Sequence, residues 1–349
     1  MAKFFLYSIS CILYSVFCIL YSVFCLLSFI LYLLSVNCKK QYILILGVTA
    51  SGKGRLAFCL AETLGAEIIS IDSMKVYRRM DIGTAKPSEE AQKRIKHHLI
   101  DIVEPSEAFS VAAFLDAASQ AAEQITRNDK PVIAVGGTAM YIKALLHGLF
   151  EGPGTDEQIR SELRALAEAE GLSRLYAELS QIDPAAAERI HPNDSKRIIR
   201  AIEVYKLTGE PISNFQRQWD TDNAPHKWTV IGLRREKSDA NSRINQRAKK
   251  MIAAGLVDEV ESLLAEQRPL GQQSRAAIGY AEIIDYLNGK MNLEDVTEQI
   301  KKNTRRFAKS QRTWFKTFRN VHWLDIEPEE PFESIFERAK TLLNNIESH

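Results

Sequence analysis

Cysteine is scarce and unevenly placed: there are five in 349 residues, and four of them, Cys11, Cys18, Cys25 and Cys38, fall within the first 38. That excludes a disulfide framework. Cys59 is the one thiol in the remaining chain, and no C-x-x-C motif accompanies a histidine cluster, so the bulk reads as a reduced, zinc-free, intracellular globule. With 17 Gly and 11 Pro the chain is neither collagen-like nor a low-complexity linker. Net charge is nearly missing too, since 45 Lys and Arg stand against 44 Asp and Glu, giving +1. A nucleic-acid partner is not thereby excluded, because charge can be segregated along a chain. What remains, 46% hydrophobic and 26% charged residues, suits one large domain or two ordinary ones.

Charge is wholly absent from Phe4 to Val36. That stretch exceeds the roughly 20 residues that span a bilayer as a helix. It is too long and uniform for a secretory signal and lacks a small-residue cleavage site. It is also repetitive, with FLYSISC at 5–11 and ILYSVFC at both 12–18 and 19–25. Two readings stay open: a membrane anchor flanked by Lys3 and Lys39-Lys40, or translated repeat DNA ahead of a misassigned start. Nothing downstream needs a membrane, which favours the second. On either reading residues 1–40 stand apart from the fold. The protein is expected in the cytoplasm, tethered only if the leader is a real anchor.

At residue 41 the pattern changes. Tyr42-Ile43-Leu44-Ile45-Leu46 is a short apolar run of the kind buried on both faces of a parallel sheet. Gly47-Val48-Thr49-Ala50-Ser51-Gly52-Lys53-Gly54 follows, then helical spacing from Arg55 onward. Strand, glycine-rich turn and helix are the context a phosphate-binding loop requires. Its backbone N–H groups curl around a pyrophosphate, the helix N-terminus adds a favourable dipole, and Lys53 supplies a point charge. The usual motif places Ser or Thr after the lysine to ligate Mg²⁺; here that position is Gly54. The gap weakens a kinase reading more than a pyrophosphate-binding one, and Thr49 or Ser51 offers a substitute hydroxyl.

A second strand, Glu67–Ile71, ends in Asp72-Ser73, and a third, Pro131–Val135, ends in Gly136-Gly137-Thr138. In open α/β sheets ligands sit beyond the carboxyl ends of the strands, so these residues are expected to share one crevice with the loop at Gly47. A carboxylate there can accept a proton from a substrate amine or hydroxyl; the competing reading is that Asp72 caps the next helix. The expected fold is α/β, a phosphate-loop, NTPase-like parallel sheet flanked by helices, with a helical insertion. Domain limits are placed at 41–149 for the core, 150–225 for the insertion, 226–325 for the rest of the core and 326–349 for a tail helix.

Several segments then resemble the tRNA dimethylallyltransferases (tRNA isopentenyltransferases). They are Asp72-Ser73-Met74-Lys75-Val76-Tyr77, Met80 to Pro87, Gly136-Gly137-Thr138-Ala139-Met140-Tyr141, His191-Pro192-Asn193-Asp194 and Ala277-Ile278-Gly279-Tyr280. The resemblance covers 41 to about 325. It implies transfer of a dimethylallyl group from dimethylallyl diphosphate to N6 of the adenine 3′ of the anticodon, in tRNAs reading codons that begin with U. The loop from Gly47 to Gly54 then holds the donor's diphosphate rather than ATP, although proteins with this loop are often labelled ATP-binding. By the same resemblance Asp72 matches the general base and Thr49 a group beside the reacting centre. Lys53 and Arg247 match groups on the diphosphate. Mg²⁺ bridging the diphosphate oxygens is implied, with Gly54 putting its site in doubt. Lys75, Ala276, Ala281 and Ser310 are further departures from the family pattern, at positions near the RNA. The enzyme is expected to act as a monomer on the anticodon stem-loop.

Helical patterns run over Glu157–Glu170, Leu172–Gln181, Pro184–Ile190 and Ser195–Thr208. Arg197 and Arg200 fall three apart on one helical face, and with Lys196 they match a tRNA-contact position; alone, they read as a solvated helix face. The clearest basic run is Lys301–Arg319, with eight Lys or Arg, no Asp or Glu, and Phe307, Trp314, Phe315 and Phe318 interleaved. Its cations, Lys309 and Arg312 among them, are expected to track a phosphate backbone, and its aromatics to pack into the core. Ser73, Met74, Lys75, Thr138 and Arg160 complete the expected tRNA contacts. The target adenine must leave its stack to be reached, and the Asp72 segment and Gly136-Gly137-Thr138 are the expected walls of its pocket. Two alternatives stay open: a small-molecule kinase with the insertion as a lid, and an RNA-binding homologue without catalysis.

Overall fold

The structure, a computed structural model, describes residues 41–148, 152–215 and 226–347. The expectations for the leader lie outside these residues. Among the described residues no helix is long and apolar enough to cross a membrane.

The first apolar run forms β1 (Tyr42–Gly47), the second β2 (Glu67–Ile71), and the third β4 (Val132–Gly136). Between the last two lies a two-residue strand, β3 (His97–His98), too short to be read from alternation. Two more strands, β5 (Trp228–Arg235) and β6 (Val321–Ile326), complete a wholly parallel sheet of order β3-β2-β4-β1-β5-β6. β1 sits inside it, with Leu46 opposite Gly136 of β4 and Gly232 of β5.

Alternation along β1 feeds two cores. Ile43 and Ile45 pack with α1 (Lys53–Leu64) and with α15 (Phe332–Glu347) at the chain's end. Leu44 and Leu46 pack on the other face with α3 (Val111–Arg127), α4 (Ala139–His147) and α14 (Leu293–Phe315). Burial on both faces is why these strands read as continuous apolar runs. α2 (Glu89–Arg94) leads into β3.

The insertion carries α5 (Glu157–Glu170), α6 (Leu172–Ile182), α7 (Pro184–Arg189), α8 (Ser195–Thr208) and the short α9 (Ile212–Phe215). They close around their own apolar cluster, centred on Leu175, Leu179, Ile198 and Ile202. The His191-Pro192-Asn193-Asp194 segment is the start of α8, where the Asp194 side chain accepts the Arg197 N–H. The chain then returns through β5, α10 (Lys237–Ala253), α11 (Leu256–Leu264), α12 (Gln272–Arg275) and α13 (Tyr280–Leu287) to α14.

Candidate active site

The loop after β1 turns sharply. Ala50 and Gly52 are both left-handed, with φ of 63° and 96°, and Gly52 stands at the start of α1. The Lys53 ammonium folds back to the Val48 carbonyl at 3.2 Å. Two arginines brace the loop from outside: Arg235 Nε donates to Ser51 O at 2.9 Å and Arg243 Nε to Ala50 O at 3.0 Å. Arg235 is itself paired with Asp239 at 2.8 Å, which ties α10 to the loop. One turn after Arg243, Arg247 donates to Thr49 Oγ1 at 3.4 Å and to Thr84 O at 3.5 Å.

The opposite wall begins where β2 ends. Asp72 caps a turn rather than a helix: its Oδ1 accepts the N–H groups of Met74 at 2.9 Å and Lys75 at 3.3 Å. Ser73 donates its N–H to Thr138 Oγ1 at 3.1 Å, which joins this turn to the loop after β4. Gly136 is obligatory, because a Cβ there would lie 1.9 Å from the Ile71 carbonyl oxygen.

Both walls line one cavity of about 980 Å³, which reaches Thr49, Lys53, Asp72, Lys75, Thr138 and Arg247. Burial lowers the Lys53 ammonium to about 7, with Arg247 and Lys75 pushing the same way and Asp72 opposing them. Burial likewise lowers Lys75, again against Asp72. Such cations gain most from an anionic ligand that restores their charge. Gly54 is exposed, with nothing within 4 Å of a Cβ built there, so packing does not forbid a hydroxyl residue. Ser51 Oγ is buried and unpartnered beside the loop. No group of three or more His, Cys, Asp or Glu gathers as a metal cluster among the described residues.

Away from this crevice, Arg160 and Arg200 converge on Glu203, which is fully buried, at 3.0 and 2.8 Å. Arg200 also donates to the carbonyls of Pro153 and Gly154, so both guanidinium groups hold the insertion together. Lys196 and Arg197 are exposed, and Arg197 pairs with Asp194 at 3.4 Å. On α14, Lys302, Arg306 and Lys309 are exposed, whereas Lys301 pairs with Glu298 and Arg305 with Asn245. Arg312 Nη1 is buried without a hydrogen-bond partner.

The expectation for the aromatics is corrected at two positions, because Trp314 is only half-buried and belongs to none of the apolar clusters. Phe315 and Phe318 are buried, but Phe307 is 43% exposed and lines the crevice. On α14 the inward face runs through Ile300, Ala308, Gln311 and Phe315, and Phe307 is rotated off it.

Sequence reasoning missed three braces. Gln311 is a polar residue on the apolar stripe of α14, a signal that was available. Arg235 carried no signal. Glu259 accepts the N–H groups of Asp81, Ile82 and Gly83 and the hydroxyl of Tyr280 at 2.5 Å, joining two of the family-like segments.

Fold and crevice define the class: a phosphate-loop α/β protein whose cleft gathers Lys53, Lys75 and Arg247 with the Asp72 carboxylate. The profile of the family described as IPP transferase matches residues 75–318. A tRNA dimethylallyltransferase of Geobacter metallireducens is 45% identical over 287 residues, 82% of this chain and 93% of that protein. One from Thermotoga maritima is 44% identical over 86% of this chain and 97% of its own length. The crystal structure of a tRNA isopentenylpyrophosphate transferase from Bacillus halodurans superposes with a TM-score of 0.65 at 40% identity, covering 89% of this chain and 98% of that one. A eukaryotic dimethylallyltransferase acting on tRNA gives 0.72 at 27% identity, over 89% and 80%. The chain belongs to the IPP transferase family.

Proposed function

We propose that this enzyme transfers a dimethylallyl group from dimethylallyl diphosphate to N6 of adenine 37, just 3′ of the anticodon, in tRNAs that read codons beginning with U. The observation that carries this reading is that Thr49, Lys53, Arg247 and Asp72 line a single crevice. The chemistry needs that convergence. The C1–O bond of the donor breaks and diphosphate leaves, while the C1–N6 bond forms and the amine sheds a proton. Lys53, Arg247 and the loop amides meet the negative charge growing on the leaving group. Asp72, held through Oδ1, takes the proton from N6. Ser73, Met74, Lys75 and Thr138 line the acceptor wall, and the adenine reaches them out of its stack. The exposed cations of α14 meet the RNA backbone, and Lys196 and Arg197 give the insertion a second contact.

Magnesium fits this site as an ion shared between substrate and protein, the usual arrangement when few side-chain ligands are present. Thr49 and Asp72, which line the crevice, would hold it, and it would neutralise charge on the diphosphate. A tRNA substrate supports a cytoplasmic site of action.

The test uses an anticodon stem-loop RNA with radiolabelled dimethylallyl diphosphate, against labelled ATP in a parallel arm. Label should pass to the RNA from the prenyl donor alone. Transfer from ATP would favour the kinase, and RNA binding without either transfer would favour an inactive binding protein.

A further inference from the structure

We propose that Gln311 is a positioning residue that sets the spacing between the donor loop and the acceptor wall; this rests on the transferase reading above. Its side chain is buried on the inner face of α14, with 4% of the residue exposed. Oε1 accepts the Thr49 N–H at 2.8 Å, and Nε2 donates to Gly137 O at 2.8 Å. The two backbone groups belong to different loops, one after β1 and one after β4, on strands that are hydrogen-bonded neighbours.

From each end a relay runs to the chemistry. On one side Thr49 Oγ1 accepts from Arg247. On the other, Thr138 follows Gly137 and accepts the Ser73 N–H beside the turn that Asp72 caps. One primary amide thus stands between the groups that meet the diphosphate and the groups that meet the amine. Its chemistry is specific, since it must accept at one end and donate at the other. Glutamate cannot donate and methionine does neither. Gly137 records the same constraint. A Cβ there would lie 2.4 Å from Gln311 Nε2, while the next neighbour, Gly47 O, is at 3.4 Å. A side chain at 137 would therefore have to displace the Gln311 amide. Because α14 carries Lys302, Arg306 and Lys309 on its outer surface, the helix that meets RNA also braces the donor loop.

The experiment measures single-turnover transfer from labelled dimethylallyl diphosphate to a stem-loop RNA, with both substrates saturating. Folding of each variant is verified by circular dichroism. Gln311→Met, similar in volume but without the amide, should lower the rate constant about tenfold or more while the RNA Kd moves less than about threefold. Gly137→Ala should lower it similarly, yet add less than about threefold in a Gln311→Ala background, where the obstructing amide is gone. Gln311→Ser replaces the alanine variant in this cycle if the latter does not fold. A wild-type rate for Gln311→Met overturns the proposal. So does a loss that more donor restores, which would mark a binding role, and so do independent, multiplying losses for the two sites. No transfer by the unaltered chain would instead sink the transferase reading, and this role with it.

Discussion

At the scale of single residues the crevice separates its tasks by charge. Asp72 is held in place by two backbone N–H groups on Oδ1, so a neutral isostere keeps the turn while losing the proposed base. Asp72→Asn should cut the single-turnover rate by about 10² to 10⁴ and leave stem-loop affinity within about threefold. An enzyme that keeps its rate would remove Asp72 from the base position.

Lys53 gives a pH signature. Its ammonium, at about 7 in the free crevice, is pulled upward again by a bound diphosphate, so donor binding takes up a proton once the pH passes 7. Donor Kd should climb between pH 7 and 9, by at most about tenfold per unit. Lys53→Arg cannot titrate in that range and should flatten the slope. For folding, the unfolded amine with its ordinary value of 10.5 binds more protons than the native one between about 7 and 10.5. The contribution of this group to stability therefore rises with pH across that window. Isothermal titration of the donor across the pH range reads the first effect, and chemical denaturation reads the second.

At the scale of elements, α14 has two faces with separate duties. Val296, Ile300, Ala308, Gln311 and Phe315 are buried, whereas Lys302, Arg306, Phe307 and Lys309 are exposed. Arg306→Ala and Lys309→Ala should each weaken stem-loop binding and lower the log–log salt slope by about 0.7 to 0.9. Filter binding between low and moderate salt measures it, and a slope unchanged in both variants would place the RNA elsewhere. α10 is the complementary element, because Arg235–Asp239, Arg243 and Arg247 attach it to the loop after β1 at three successive points.

At the scale of the whole molecule, the insertion owns an apolar cluster separate from those of the sheet, and its charged centre is Glu203. The Glu203 carboxyl is held below the usual range by hydrogen bonds from Arg200, Asp156 N–H and Arg160, which outweigh the effect of burial. Glu203→Ala would leave two guanidinium groups, about a quarter exposed, without their partner. It should cost about 2 to 4 kcal/mol after allowing for that exposure. Thermal unfolding of the variant gives the number. An unchanged midpoint would mean that the Glu203 cluster contributes nothing net to stability.

Much of this was legible in the chain, for local reasons. A strand buried on both faces is mostly apolar, so β1, β2 and β4 announced themselves, and the 3.6-residue period marked α5 to α8 almost to the residue. The loop after β1 was legible because left-handed turns and close backbone approach leave few residue choices. By itself, then, the sequence determined the strand–loop–helix unit, the helical insertion and the identity of the groups that line the crevice. Only the tertiary structure decided that Arg160 meets Glu203, 43 positions away. It also decided that Phe307 faces the crevice and that Gln311 spans two loops. The reason is physical. Period and composition fix what a residue does to its own backbone, but a side chain's partner lies up to 262 positions away, and that proximity exists only once the sheet has closed.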